Sequence, residues 1–170
     1  MLQWSVRRAT TFCDALSCVC PRTCQATTHG INVHGSYTLV PLSEQFVYVY
    51  SFTITADFSD AAEKEGTKTW WQRNESVQLL RRHWDIHNET LGDVETVDGE
   101  GVVGLSPVFF PDGQSHFSGV VARNPFVYQS TIQAMGDINM SGYFTFCESP
   151  SNTLFRVRVP ELRLRACLPF

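Results

Sequence analysis

His83, Asp85 and His87 occupy alternate positions. On a strand they would project from one face, bringing two imidazoles and a carboxylate together as a transition-metal donor set. No fourth ligand is evident, and the competing expectation is a solvated polar face. Cys13, Cys18, Cys20 and Cys24 supply enough thiols for one zinc, but without the paired CxxC spacing of zinc knuckles. Unliganded thiols are the default expectation there. Gly99, Gly101 and Gly104 spell GxGxxG. That fingerprint holds a pyrophosphate only where a strand runs into a helix N-terminus. Here Val102 and Val103 lead to Ser106-Pro107 and more strand-like sequence, so a tight turn or bulge is expected, with an anion-binding turn as the lesser alternative. Ser115 and His116 are adjacent and would point to opposite faces of a strand, so they cannot act as nucleophile and base. No catalytic set and no cofactor are expected.

Two other groups suit recognition rather than reaction. Trp70 and Trp71 stand together in a charged stretch, and exposed indoles mark interfaces. Arg156, Arg158, Arg163 and Arg165 form a late basic cluster. Arg156 and Arg158 share a strand face opposite Phe155, Val157 and Val159, where acidic protein or a local stretch of RNA could be met.

The elements that must position these residues are strands. From Phe46 to Phe58, aromatic or aliphatic residues fill the even positions while Ser51, Thr53, Thr55 and Asp57 fill odd ones. This period of two predicts a half-buried strand. Val77–Asn88 predicts another, with Leu80, Trp84 and Ile86 on one face and Arg81, His83, Asp85 and His87 on the other. Shorter strands are expected around Val94–Val97, Val108–Phe110, His116–Val121, Tyr143–Cys147 and Leu154–Val159, with turn residues at the joins. No long segment has a helical period. The fold class expected is therefore an all-β antiparallel sandwich or barrel. Residues 61–75, which include the two tryptophans, interrupt the pattern as a long inserted loop, and such loops commonly have a function.

Val77-Gln-Leu-Leu80, Arg82-His83-Trp84, the Gly99–Gly104 block, Pro107, Pro111, Phe117-Ser-Gly119, Met140, Gly142-Tyr143 and Val159–Leu164 follow one another in an order that resembles the ApaG domain family. The resemblance runs roughly from Ile31 to Pro169. It implies an immunoglobulin- or fibronectin-like β-sandwich. It also implies a binding module, since members occur as small bacterial proteins linked to divalent-cation resistance and as partner-binding modules in larger proteins, without an established enzymatic activity. The 61–75 loop, a long 122–139 region and a cysteine-bearing leader depart from the family pattern.

The 170 residues suit one domain, and a net charge of −4 argues against general nucleic-acid binding. The leader is different. Arg7, Arg8 and Arg22 face only Asp14, amid many Ser and Thr, which is the composition of a mitochondrial targeting segment. The expected organisation is an extension over 1–28 and a sandwich over 29–170. No run approaches the ~20 apolar residues of a membrane span. The expectation is a non-catalytic, macromolecule-binding, structural or adaptor subunit of a mitochondrial assembly, with other proteins as partners and the mitochondrial ribosome as leading candidate. The alternative is a free protein responding to a small ligand or divalent cation.

Overall fold

A computed structural model describes residues 23–41, 45–58, 76–111, 114–117, 120–123 and 125–166. The strands are β1 (Thr23–Thr28), β2 (Ile31–Pro41), β3 (Phe46–Ala56), β4 (Ser76–Asn88), β5 (Val94–Glu100), β6 (Val108–Phe109), β7 (Gln114–Phe117), β8 (Val120–Arg123), β9 (Phe126–Ala134), β10 (Ile138–Ser149) and β11 (Leu154–Leu164). They form two antiparallel sheets. One is four-stranded, in the order β1-β2-β3-β9; the other is seven-stranded, in the order β11-β10-β4-β6-β7-β8, with β5 also pairing β4. Among the described residues there is no helix. The all-β antiparallel sandwich expected from the pattern is the observed fold.

The alternation in β3 explains how the sheets meet. Tyr48, Tyr50, Phe52, Ile54 and Ala56 are buried, and the residues between them are only half so. Phe52 stacks on Trp84 of β4 at 5.2 Å and meets Phe144 of β10 edge-on at 6.3 Å. These aromatic contacts tie the sheets at their centre. Leu79, Phe109, Phe146, Val157 and Leu162 complete the core on the seven-stranded side.

Three strands lie where none was expected. β1 falls within the segment that composition assigned to the extension. It pairs along its whole length with β2, from Thr23 opposite Ser36 to Thr28 opposite Ile31. The sandwich therefore includes residues at least from Thr23, and the boundary at 28/29 is displaced. Hydroxyl-rich composition misled here because an edge strand with one half-buried face can be built from Thr, Gln and Ala. β2 repeats Ile31, Val33, Tyr37 and Leu39 at period two, interrupted by Gly35. β9 carries Phe126, Tyr128, Ile132 and Ala134 inward, with Ser130 breaking the run.

β4 changes face partway along. Val77 and Leu79 are fully buried, and so, one register later, is Trp84. The pairing with β10 slips between Thr145 opposite Arg81 and Phe146 opposite Leu79, leaving Leu80 as the extra residue of a β-bulge. The expected face of Leu80, Trp84 and Ile86 is thus corrected at its first member. Leu79 takes the core place, and Leu80 spends its carbonyl on the Gly101 amide at 2.6 Å.

Candidate functional site: an anion cradle on the outer sheet face

The bulge in β4 sets Arg81, His83, Asp85 and His87 on the solvent side of the seven-stranded sheet. The central strand β10 runs between β4 and β11. Register places Arg81 opposite Thr145 and His83 opposite Tyr143 on one side, and Arg156 opposite Thr145 and Arg158 opposite Tyr143 on the other. Two guanidinium-bearing residues therefore flank one threonine across three adjacent strands. Gly142 makes this approach tight, because a Cβ there would overlap the His83 carbonyl and press on the Trp84 ring.

Tyr143 anchors the patch. The His83 ring stacks on it at 4.6 Å, and the Arg156 guanidinium lies 4.3 Å from its centre, within cation–π range. Together with Arg82 and Asp98, these residues line an open cleft of about 340 Å³. His83 is held by two carboxylates, with Nδ1 2.9 Å from Asp98 Oδ1 and Nε2 3.4 Å from Asp85 Oδ2. Arg82 turns to the rim and donates to the Gly101 carbonyl at 3.0 Å. Among the described residues no carboxylate pairs with Arg81 or Arg156. The cleft thus offers two guanidinium groups without a described carboxylate partner, a hydroxyl and an aromatic surface. Planar guanidinium donors fit carboxylate and phosphate oxygens in pairs, so the arrangement can hold an anion.

The structure sorts the sequence-level candidates differently. His83, Asp85 and His87 share a face, but they are not gathered on a metal. Asp98 engages His83, the Thr96 hydroxyl donates to Asp85 at 3.1 Å, and among the described residues no three His, Cys, Asp or Glu side chains are grouped to hold an ion. Cys24 belongs to β1, where its Sγ lies 3.8 Å from the Pro160 carbonyl. Burial pushes this thiol up to about 11, which disfavours the thiolate a zinc ion requires. Cys13, Cys18 and Cys20 lie outside the described residues, as do Trp70 and Trp71.

The glycine block is a tight turn rather than an anion nest. Val102 and Leu105 exchange backbone hydrogen bonds at 2.7 and 2.9 Å, and Val103 and Gly104 between them have φ of 51° and 74°. That is the left-handed pair of a two-residue hairpin turn. Gly101, at φ 57°, leaves no room for a Cβ beside the Leu105 carbonyl, and at Gly99 a Cβ would meet the Arg82 guanidinium. The amides of Gly101, Val102 and Leu105 are all spent internally, and no helix follows to add its dipole.

The late arginines divide. Arg156 joins the cradle, and Arg158 is exposed beside it. Arg163 bonds Glu161 on its own strand, at 3.1 Å. Arg165 is committed to structure: it pairs with Glu89 and with Asp137 at 3.2 Å and donates to Asn139 at 3.3 Å. It joins the β4–β5 turn to the β9–β10 turn. Arg81, Tyr143 and Thr145 were not singled out from sequence. Their signal is a polar parity on two strands, β4 and β10, which becomes meaningful only when sheet order makes those strands neighbours.

Comparison with known proteins agrees with this architecture. The ApaG domain model matches residues 38–148. Protein ApaG of Yersinia pestis (strain Pestoides F) is 31% identical over 151 residues, covering 85% of this chain and 91% of that protein. Protein ApaG of Chromohalobacter salexigens is 30% identical over 118 residues, covering 69% and 73%. The polymerase delta-interacting protein 2 of Homo sapiens is 29% identical over 124 residues, covering 67% of this chain but only 30% of that longer protein. Among solved structures, the putative ApaA protein from Bordetella pertussis shares the fold with a TM-score of 0.58 at 21% identity, covering 85% of this chain and 97% of that one. The structural genomics target SoR45 gives 0.60 at 20% identity, with 83% and 90% covered. A sandwich of this topology, with the matched segment running from β2 to β10, makes the chain a member of the ApaG domain family.

Proposed function

We propose that the domain is a non-catalytic binding module whose outer sheet face receives an anionic group of a protein partner, a phosphate or clustered carboxylates. The observation that carries this reading is the placement of Arg81 and Arg156 on either side of Thr145, with no described carboxylate paired to either. The name of the human relative describes a protein that interacts with a polymerase, which supports partner binding as the role of the domain. A net charge of −4 favours a protein partner over RNA. The composition of the arginine-bearing leader supports a mitochondrial location, as a structural or adaptor subunit of an assembly there, with the mitochondrial ribosome as leading candidate. Trp70 and Trp71 are proposed as a second contact on sequence grounds. The alternative, a free protein responding to a small ligand or divalent cation, draws no support from His83, Asp85 and His87, which do not group to hold an ion among the described residues.

Sedimentation of tagged protein from mitochondrial lysate tests the proposal. The wild type should travel with a large complex, and Arg81→Ala with Arg156→Ala should shift it to the light fractions while leaving its melting temperature unchanged. Hydrogen bonds to charged groups are each worth about 1.5–3 kcal/mol, so the pair corresponds to at least about a hundredfold in affinity. A folded double mutant that still travels with the complex contradicts the assignment.

A further inference from the structure

The sheet edges are treated unequally. β11, at one edge of the seven-stranded sheet, carries Pro160, a register shift opposite Met140–Gly142, and the charges Arg156, Arg158, Glu161 and Arg163. Proline, bulges and charges are the usual means of preventing edge-to-edge pairing. β1, at one edge of the four-stranded sheet, packs against β11, and Thr28 Oγ1 accepts from the Arg158 amide at 3.3 Å. β9 has no such protection. Its nine residues, FVYQSTIQA, include no charge and no proline, and it pairs with β3 without a register break from Phe126 opposite Ile54 to Ala134 opposite Phe46. Among the described residues no strand pairs with its outer edge.

The sequence of β9 also suits it to meet itself. Antiparallel self-pairing about Ser130 sets Val127 against Gln133 and Gln129 against Thr131 on the outer face, and Tyr128 against Ile132 on the inner face. No position opposes a like charge. Tyr128, Ser130 and Ile132 border a cleft of about 330 Å³ between β9 and the β4–β5 pair, with Ile86 and Val97 beside the charged Arg82 and Glu95 on its other wall. A strand added beside β9 would extend the sheet over the mouth of this cleft and shield its apolar lining. We propose that β9 pairs with β9 of a second copy of this chain, about a two-fold axis at Ser130, joining the two four-stranded sheets into one continuous sheet. A symmetric self-complementary contact of this kind closes at two copies. The proposal is independent of the anion cradle, which lies on the outer face of the other sheet.

Charge placement on the exposed positions 129 and 131 tests it, with mass measured by analytical ultracentrifugation from micromolar to millimolar concentration. Both positions face solvent, so the variants should melt like the wild type. The wild type should associate to a dimer. Gln129→Lys with Thr131→Lys sets like charges directly opposite one another across the axis, twice, and should weaken dimerisation at least tenfold. Gln129→Glu with Thr131→Lys sets opposite charges at the same places and should retain or tighten it. A wild type that stays monomeric throughout overturns the proposal. So does a dimer indifferent to the paired lysines, or one weakened equally by both variants.

Discussion

Trp84 carries the largest single share of the core at residue scale. It is 2% exposed and is held between Phe52 and Phe144, both about 5.2 Å away. Its truncation to alanine should cost about 3–5 kcal/mol, enough to threaten a domain of ordinary stability. Among the described residues the buried indole N–H has no acceptor, so Trp84→Phe removes that donor along with some volume. The phenylalanine variant should therefore melt much closer to wild type than the alanine variant, and a thermal melt of both checks this. Two titrating groups give further tests. Burial holds the Cys24 thiol protonated up to about 11. Alkylation of Cys24 at pH 8, followed by mass mapping, should be slow in the folded protein and fast in urea. The hydrogen bond from Arg165, first among several causes, holds the Glu89 carboxyl below its usual range. A carboxyl whose folded pKa is depressed adds stability above its unfolded pKa and loses it as pH falls through the folded value. Glu89→Gln should thus lower the melting temperature at neutral pH, and the difference should vanish in acid.

The glycine block shows at element scale how a motif's spelling can mislead. GxGxxG here closes a hairpin, and the first of its two central turn positions is Val103, a β-branched residue at φ 51°. The left-handed conformation costs such a residue about 1–2 kcal/mol. Val103→Asn should therefore raise stability by about 1 kcal/mol, read from a denaturant midpoint at constant slope. A neutral or negative effect would show that Val103 makes a compensating contact. Period-two alternation made β3 legible, and it also foretold the sandwich. It failed in β4 at Leu80, because a bulge reverses parity and periodicity cannot announce a bulge. It also passed over β2 and β9, where Gly35 and Ser130 break the apolar run although the strand continues. The candidate site was legible only in pieces. His83 and Arg156 were each singled out, one for metal and one for an acidic partner. That they flank the same tyrosine follows from the order β11-β10-β4, which no local pattern contains.

At the scale of the whole molecule, two opposed sheets leave one wide outer face with cationic and aromatic side chains clustered at its middle. Arg165 and its carboxylate partners join the β4–β5 and β9–β10 turns at one end of the sandwich. Under the proposal Trp70 and Trp71 form a separate contact: Trp70→Ala with Trp71→Ala should leave the melting transition nearly unchanged while weakening partner association by about 2 kcal/mol or more, roughly thirtyfold. The cradle itself is tested most directly by titrating isotope-labelled protein with inorganic phosphate and following the amide resonances. Recognition on the outer face predicts saturable shifts centred on Tyr143, Thr145 and Arg156, abolished by Arg81→Ala with Arg156→Ala. Shifts centred instead on Gly99–Gly104, or none that the double mutant removes, would contradict it.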